Sequence, residues 1–379
     1  MSRFQKVFGA KKPVIAMVHL GAMPGTPLYD ADAGVEGIIR GAKADLAALQ
    51  AAGFDAVMFG NENDRPYELK VDTASTATMA YVIGRVRDQI SLPFGVNVLW
   101  DPMATMALAA ATGARFVREI FTGTYASDMG VWAPDAGAAL RYQQRLAARD
   151  VATLYNVSAE FAGSLDPRSL PDRARSAVFS SIPDAVLVSG AITGEAARMV
   201  DLEAVKRVLP NTPVLANTGV KHATVAEVLK VADGCIVGSA LKVGGDTWAA
   251  VDPERAADFM ARVRAARQDA GAHAQLRHAA QEAQRTQTVR MQQLSAMAAL
   301  ELNVSQTAVA QAFTKLQAVD KYMAKDLDTG DAMGAAAKLH QAVLANPTGK
   351  DEQSTFELHN EYIDALLALG ELVSDTSEL

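Results

Sequence analysis

Eight short apolar runs recur through residues 13 to 267, each closed by a polar cluster and followed by an Ala- and Leu-rich stretch. They are Pro13 to Leu20, Ala56 to Phe59, Phe94 to Leu99, Phe116 to Phe121, Ala152 to Val157, Ala185 to Val188, Pro213 to Ala216 and Cys235 to Val237. Val, Ile, Leu and Phe dominate them without clean alternation, the mark of parallel strands buried on both faces. The intervening segments, such as Ala42 to Ala52 and Ala139 to Ala148, carry apolar residues at helical spacing and are long enough for right-handed crossovers. Eight such units in about 255 residues predict a TIM-type (β/α)8 barrel, whose chemistry sits at the carboxyl ends of its strands.

At 379 residues the chain exceeds one barrel. Strand signals stop after Arg267, and Gln- and Ala-rich helical patterns take over, so the reading is a barrel over residues 1–268 and an all-α helical domain over 269–379. Residues 270–379 hold 8 Lys and Arg against 14 Asp and Glu. That excess of acid argues against nucleic-acid binding, which draws its affinity from cations on the phosphate backbone. No apolar run approaches the roughly 20 residues that span a bilayer, and the N-terminus lacks the apolar core of a secretory signal. The single cysteine, Cys235, excludes an intrachain disulfide. A cytoplasmic protein is the expectation, with a small-molecule ligand and a homo-oligomer held through the helical tail.

The polar residues that close the strands form the candidate site. His19 ends the first run; Glu62, Asn97 with Asp101, Glu119 and Glu160 follow the second to fifth. Converging carboxylates raise one another's pKa or recruit a cation such as Mg2+, so Glu62, Asp101, Glu119, Glu160 and His19 are the acid/base candidates. No paired Cys or His spacing marks a dedicated transition-metal site. Ser189-Gly190 follows the sixth run, Asn217-Thr218-Gly219 the seventh, and Gly238-Ser239 with Lys242 the eighth. Turns at the last two strands of such barrels bind phosphate through backbone N–H groups, where glycine permits close approach. Asn97, Ser189, Gly190, Asn217, Thr218, Gly219, Gly238, Ser239 and Lys242 are therefore the substrate- and phosphate-binding candidates.

Several blocks resemble those of the BtpA/SgcQ family. They are Met17-Val18-His19-Leu20-Gly21-Ala22-Met23-Pro24-Gly25, Asn61-Glu62-Asn63-Asp64-Arg65-Pro66, Gly95-Val96-Asn97-Val98-Leu99, Ser189-Gly190-Ala191-Ile192-Thr193-Gly194 and Asp233-Gly234-Cys235-Ile236-Val237-Gly238. The resemblance runs over about residues 10–267 and implies a barrel related to phosphate-binding types, in a family named for the accumulation of photosystem I proteins. Two positions depart from it. Where the family reads Arg-Asn-Asp after the third strand, this chain has Trp100-Asp101-Pro102, and where it carries Lys-His after the fifth, this chain has Ser158-Ala159-Glu160. A shorter stretch, 298–316, resembles the helix-turn-helix of LysR-type regulators but carries no arginine on its presumed recognition helix. The combined reading is an enzyme or binding protein for a small phosphorylated or sugar-like metabolite, with lyase-, isomerase- or hydrolase-type acid–base chemistry. A non-catalytic assembly factor and a metabolite-sensing regulator are the alternatives.

Overall fold

The computed structural model describes residues 1–9 and 12–268, with Gln281 and Arg285 beyond them. The chain divides into the units Met1–His273 and Ala274–Leu379. Apart from Gln281 and Arg285, the expected helical domain, with the 298–316 resemblance, lies outside the described residues.

The strands are β1 (Val14–His19), β2 (Ala56–Gly60), β3 (Phe94–Asn97), β4 (Phe116–Glu119), the hairpin β5 (Tyr125–Ser127) and β6 (Gly130–Trp132), β7 (Ala152–Asn156), β8 (Ala162–Ser164), β9 (Ala185–Val188), β10 (Val214–Ala216) and β11 (Cys235–Val237). Eight of them close a parallel barrel in the order β1-β2-β3-β4-β7-β9-β10-β11, with β11 returning to β1. The protein is a TIM-type (β/α)8 barrel. The helices are α1 (Arg3–Phe8), α2 (Gly34–Ala52), α3 (Thr73–Val86), α4 (Pro102–Thr112), α5 (Ala136–Arg145), α6 (Leu170–Ser181), α7 (Met199–Val208) and α8 (Val225–Val231), and residues 253–268 form a last one. Among the described residues no helix is long and apolar enough to cross a membrane.

Two strands, β3 and β4, end earlier than their apolar runs because side chains capture the backbone that would have continued them. Val98 N–H donates to Thr105 Oγ1, Leu99 N–H to Asn61 Oδ1, Trp100 N–H to Glu119 Oε1 and Ile120 N–H to Glu119 Oε2. The strand ladder gives way at that level to loops held by side chains.

The core has two layers. Val, Leu and Ile on the outward face of the strands pack under the helices. The lumen is filled by Ile15, Met17, Met58, Phe116, Leu154, Leu187, Leu215 and Ile236. Gly95 on β3 makes room for this filling: a Cβ there would lie 2.3 Å from the Phe116 ring. Helix α1, opened by a Ser2–Gln5 capping box, closes the amino-terminal end with Phe4, Val7 and Phe8. The Phe8 ring lies 5.1 Å from that of Phe116. The other mouth is left open by α1, and β5, β6 and β8, in the loops that follow β4 and β7, build a small antiparallel sheet.

Candidate active site

The carboxyl mouth holds a cavity of about 780 Å³. Its base is an arginine. Arg118, the third residue of β4, has the same inward parity as Phe116 and reaches across the lumen. It donates to Glu62 Oε1 at 3.1 Å, to Asn97 Oδ1 through Nε at 3.2 Å and to Asn217 Oδ1 at 3.4 Å. Strand alternation puts Arg118 and Glu119 on opposite faces of β4, and the arginine is the member that faces the lumen. Arg118 is not among the residues singled out from the sequence; counting from the bulky Phe116 places it inside.

Glu62 is 2% exposed. Its carboxylate lies where a side chain on Gly60 would project, 2.4 Å from that Cβ position, so Gly60 is the vacancy that admits it. Oε1 is held by Arg118; Oε2 has no partner among the described residues. His19 Nε2 stands 3.9 Å from Glu62 Oε1, and its Nδ1 lies 3.4 Å from the Thr247 carbonyl. A carbonyl only accepts, so Nδ1 carries the ring proton and Nε2 remains basic on the Glu62 side. Burial holds the His19 pKa below its ordinary value, which keeps the ring neutral at pH 7.

Glu160 also lines the cavity. Its Oε1 accepts from Asn217 Nδ2 at 3.3 Å, and burial raises its pKa against the opposing pull of Arg118. Asn217 thus bridges Arg118, Glu160 and, at 2.8 Å, the Ser189 hydroxyl. Asn97 joins Arg118 to Glu119, donating to Glu119 Oε1 at 2.7 Å. These amides orient the charged groups: Asn217 lines the cavity itself, and Asn97 stands one layer behind it.

Two of the expected acid/base residues do not reach it. Asp101 caps α4, accepting from Met103 and Ala104 N–H and also from Val71 N–H. Glu119 accepts from Asn97, Trp100 N–H and Ile120 N–H, and burial lifts its pKa to about 8. Oε1 is spent on Asn97 and the loop after β3, and Oε2 on the chain leaving β4. The expectation that Glu62, Asp101 and Glu119 share one cavity is corrected accordingly: Glu62 and Glu160 share it. Asn61 and Asp64 are consumed in the same way, tying the loops after β1, β2 and β3 together.

At the opposite end stand the glycine turns. The N–H groups of Thr218, Gly219, Gly238 and Ser239 make no hydrogen bond among the described residues. All four residues line the cavity, together with Lys221, His222 and Arg255. Gly219 has φ +64°, and a Cβ on it would meet Ala196 N at 2.1 Å, so residues 195–196 pack directly on that turn. The Gly190 N–H is already bonded to Thr218 Oγ1 at 2.7 Å. Lys242 needs the larger correction: it is 1% exposed and points away from the mouth to Asp45 of α2, at 2.8 Å. Asp45 Oδ1 also accepts Val251 N–H. A lysine buried against a carboxylate is a structural ion pair, and losing one partner strands the other charge.

The donors present do not compose a metal cage. Among the described residues no three His, Cys, Asp or Glu side chains converge, and the Arg118 guanidinium already places positive charge beside Glu62. A divalent cation such as Mg2+ does not fit this donor set.

Unanticipated from sequence, Leu99, Trp100 and Phe161 line the cavity beside Glu62. Trp100 lies against Trp132, centroids 5.2 Å apart, and Phe161, 6.4 Å apart.

Fold and site define the class: a (β/α)8 barrel with a closed amino-terminal end and a charged pocket at its carboxyl mouth. The BtpA family matches residues 10–265, and the chain belongs to that family. It is 48% identical to the putative sgc region protein SgcQ of Escherichia coli over 263 residues, covering 69% of this chain and 98% of that one. It is 31% identical to the photosystem I biogenesis protein BtpA of Synechocystis over 263 residues, 69% and 90% of the two chains. Among solved structures it is similar to tryptophan synthase from M. tuberculosis, at 19% identity and TM-score 0.45, over 69% of this chain and 100% of that one.

Proposed function

We propose that the barrel is an enzyme acting on a small phosphorylated metabolite. The observation that carries this reading is the pairing, in one cavity, of four unbonded backbone N–H groups with a Glu–Arg–His cluster. Backbone donors converging with Lys221 and Arg255 suit a phosphate dianion, for which a preformed donor set needs no rearrangement. The remainder of the ligand then lies over Arg118. Glu62 Oε2, unpartnered among the described residues and beside the Arg118 guanidinium, takes a proton from the substrate. Arg118 stabilises the oxyanion that develops next to that carbon. Glu160, held protonated to a higher pH than an ordinary carboxyl, returns a proton to the departing or rearranging oxygen. Proton transfer with carbon–oxygen or carbon–carbon cleavage is the chemistry this set supports.

The test is calorimetric titration with inorganic phosphate. Ser239 is partly exposed, and Ser239→Asp sets a carboxylate against the anion without filling a buried space. Wild type should bind phosphate, and at 100 times Kd gain about 2.7 kcal/mol of stability. Ser239→Asp should weaken binding by at least about tenfold, the effect of one like charge close to an anion site. Absence of phosphate binding by the wild type would overturn the reading.

A further inference from the structure

Two residues that line this cavity each carry a buried polar atom without a partner among the described residues, one a donor and one an acceptor. Trp100 Nε1 carries a hydrogen with nowhere to go, and Glu62 Oε2 has free lone pairs. Both residues are 2% exposed and both line the cavity. A buried donor left unpaired costs about 1–3 kcal/mol, so a ligand that answers both recovers binding energy at each. We propose that the ligand is a phosphorylated polyhydroxy compound, and that Trp100 together with Glu62 selects it by its hydroxyl groups. The proposal rests on the anion reading above and specifies the other end of the same ligand.

The chemistry of the two atoms narrows the class. An ammonium group offers hydrogens to Glu62 but nothing to an indole N–H, and a ketone does the reverse. A hydroxyl both accepts and donates, so neighbouring hydroxyls on one carbon chain satisfy the pair. The backbone is committed to this arrangement. Trp100 and Phe161 have φ of 70° and 53°, left-handed values that bulky side chains rarely adopt. Both conformations are held from outside the cavity, by Trp100 N–H on Glu119 Oε1 at 2.9 Å and by Phe161 N–H on the Ala191 carbonyl at 2.9 Å. Edge contacts with Trp132 and Phe161 keep the indole from swinging away. Strain over-determined by its surroundings, at two residues lining one cavity, marks placement for a ligand. At about 780 Å³ the cavity takes a sugar phosphate whole.

The full-length chain is titrated with inorganic phosphate, glycerol 3-phosphate, ribose 5-phosphate and glucose 6-phosphate, as wild type and as Trp100→Phe. Wild type should bind at least one polyol phosphate about tenfold or more tightly than inorganic phosphate, the worth of one good hydrogen bond to a buried group. Trp100→Phe should erase that preference and leave the phosphate affinity unchanged. Because the variant can misfold, 15N-indole wild-type protein supplies a second readout. The Trp100 Nε1–H resonance, assigned with Trp132→Phe and Trp248→Phe, should move with the polyol phosphate and stay with inorganic phosphate. Equal affinities for all four ligands, or equal weakening of all four by Trp100→Phe, overturn the proposal while the anion reading stands. Failure of inorganic phosphate to bind wild type removes the anion reading itself.

Discussion

At the scale of single residues, the pocket separates groups that line the cavity from groups that hold them. Glu119 belongs to the second kind. Three N–H donors stabilise its anion, yet burial outweighs them and lifts its pKa to about 8. In the unfolded chain the group titrates near 4.3, at the ordinary value of about that size. The folded state therefore binds the extra proton between the two values, and the stability from Glu119 is complete below the unfolded pKa and lost as pH rises through about 8. Thermal unfolding from pH 5 to pH 9 should show this loss in wild type, and Glu119→Gln should flatten that part of the profile. At pH 5 the same variant should be less stable by about 1–3 kcal/mol, because the Gln amide cannot accept from Ile120 N–H. An unchanged pH slope in Glu119→Gln would show that Glu119 does not titrate in this range.

At the scale of elements, the two ends of the barrel are built for different ends. Helix α1 seals one with three apolar side chains, Phe8 being 8% exposed at the base of the lumen. Phe8→Ala removes the ring that meets Phe116, and no other side chain of α1 can refill the place. We expect a loss of about 3 kcal/mol, the usual cost of a buried Phe→Ala, read as a lower urea midpoint with the m-value unchanged. Phosphate affinity at the opposite mouth should not move. A loss under 1 kcal/mol would mean that α1 lies loosely on the barrel. The carboxyl end is instead built of loops whose backbone hydrogen bonds go to side chains, Asn61, Asp64, Asp101 and Glu119 among them. That explains why acids and amides crowd these strand ends: most of them serve the loops.

At the scale of the whole molecule, every strand of the closed barrel and the helix over residues 253–268 lie before Gln268. A barrel has no open edge and needs no further chain to complete its sheet. We expect a chain ended at Gln268 to unfold cooperatively and to bind inorganic phosphate with the wild-type constant. An insoluble product, or one lacking a near-ultraviolet circular-dichroism signal, would place the tail within the folding unit.

The sequence by itself determined the barrel, because eight buried parallel strands need eight continuous apolar runs joined by seven crossovers, and periodicity records both. It also determined which strand ends face the chemistry, and the polar residues following them are legible as a rim. It did not determine the rim's division of labour. Glu62 and Glu119 look alike in sequence; one finds space over Gly60 and an arginine, the other finds two backbone N–H groups and the Asn97 amide. Lys242 follows the last strand as a phosphate ligand would, and Asp45, 197 residues away, turns it outward. Arg118 sits inside an apolar run, and its place at the centre of the pocket depends on Asn97, Asn217 and Glu62 arriving from three other strands. Local pattern encodes strand and helix because their periods are short. The direction of a buried charge is decided by partners distant in the chain, and only the closed barrel brings them together.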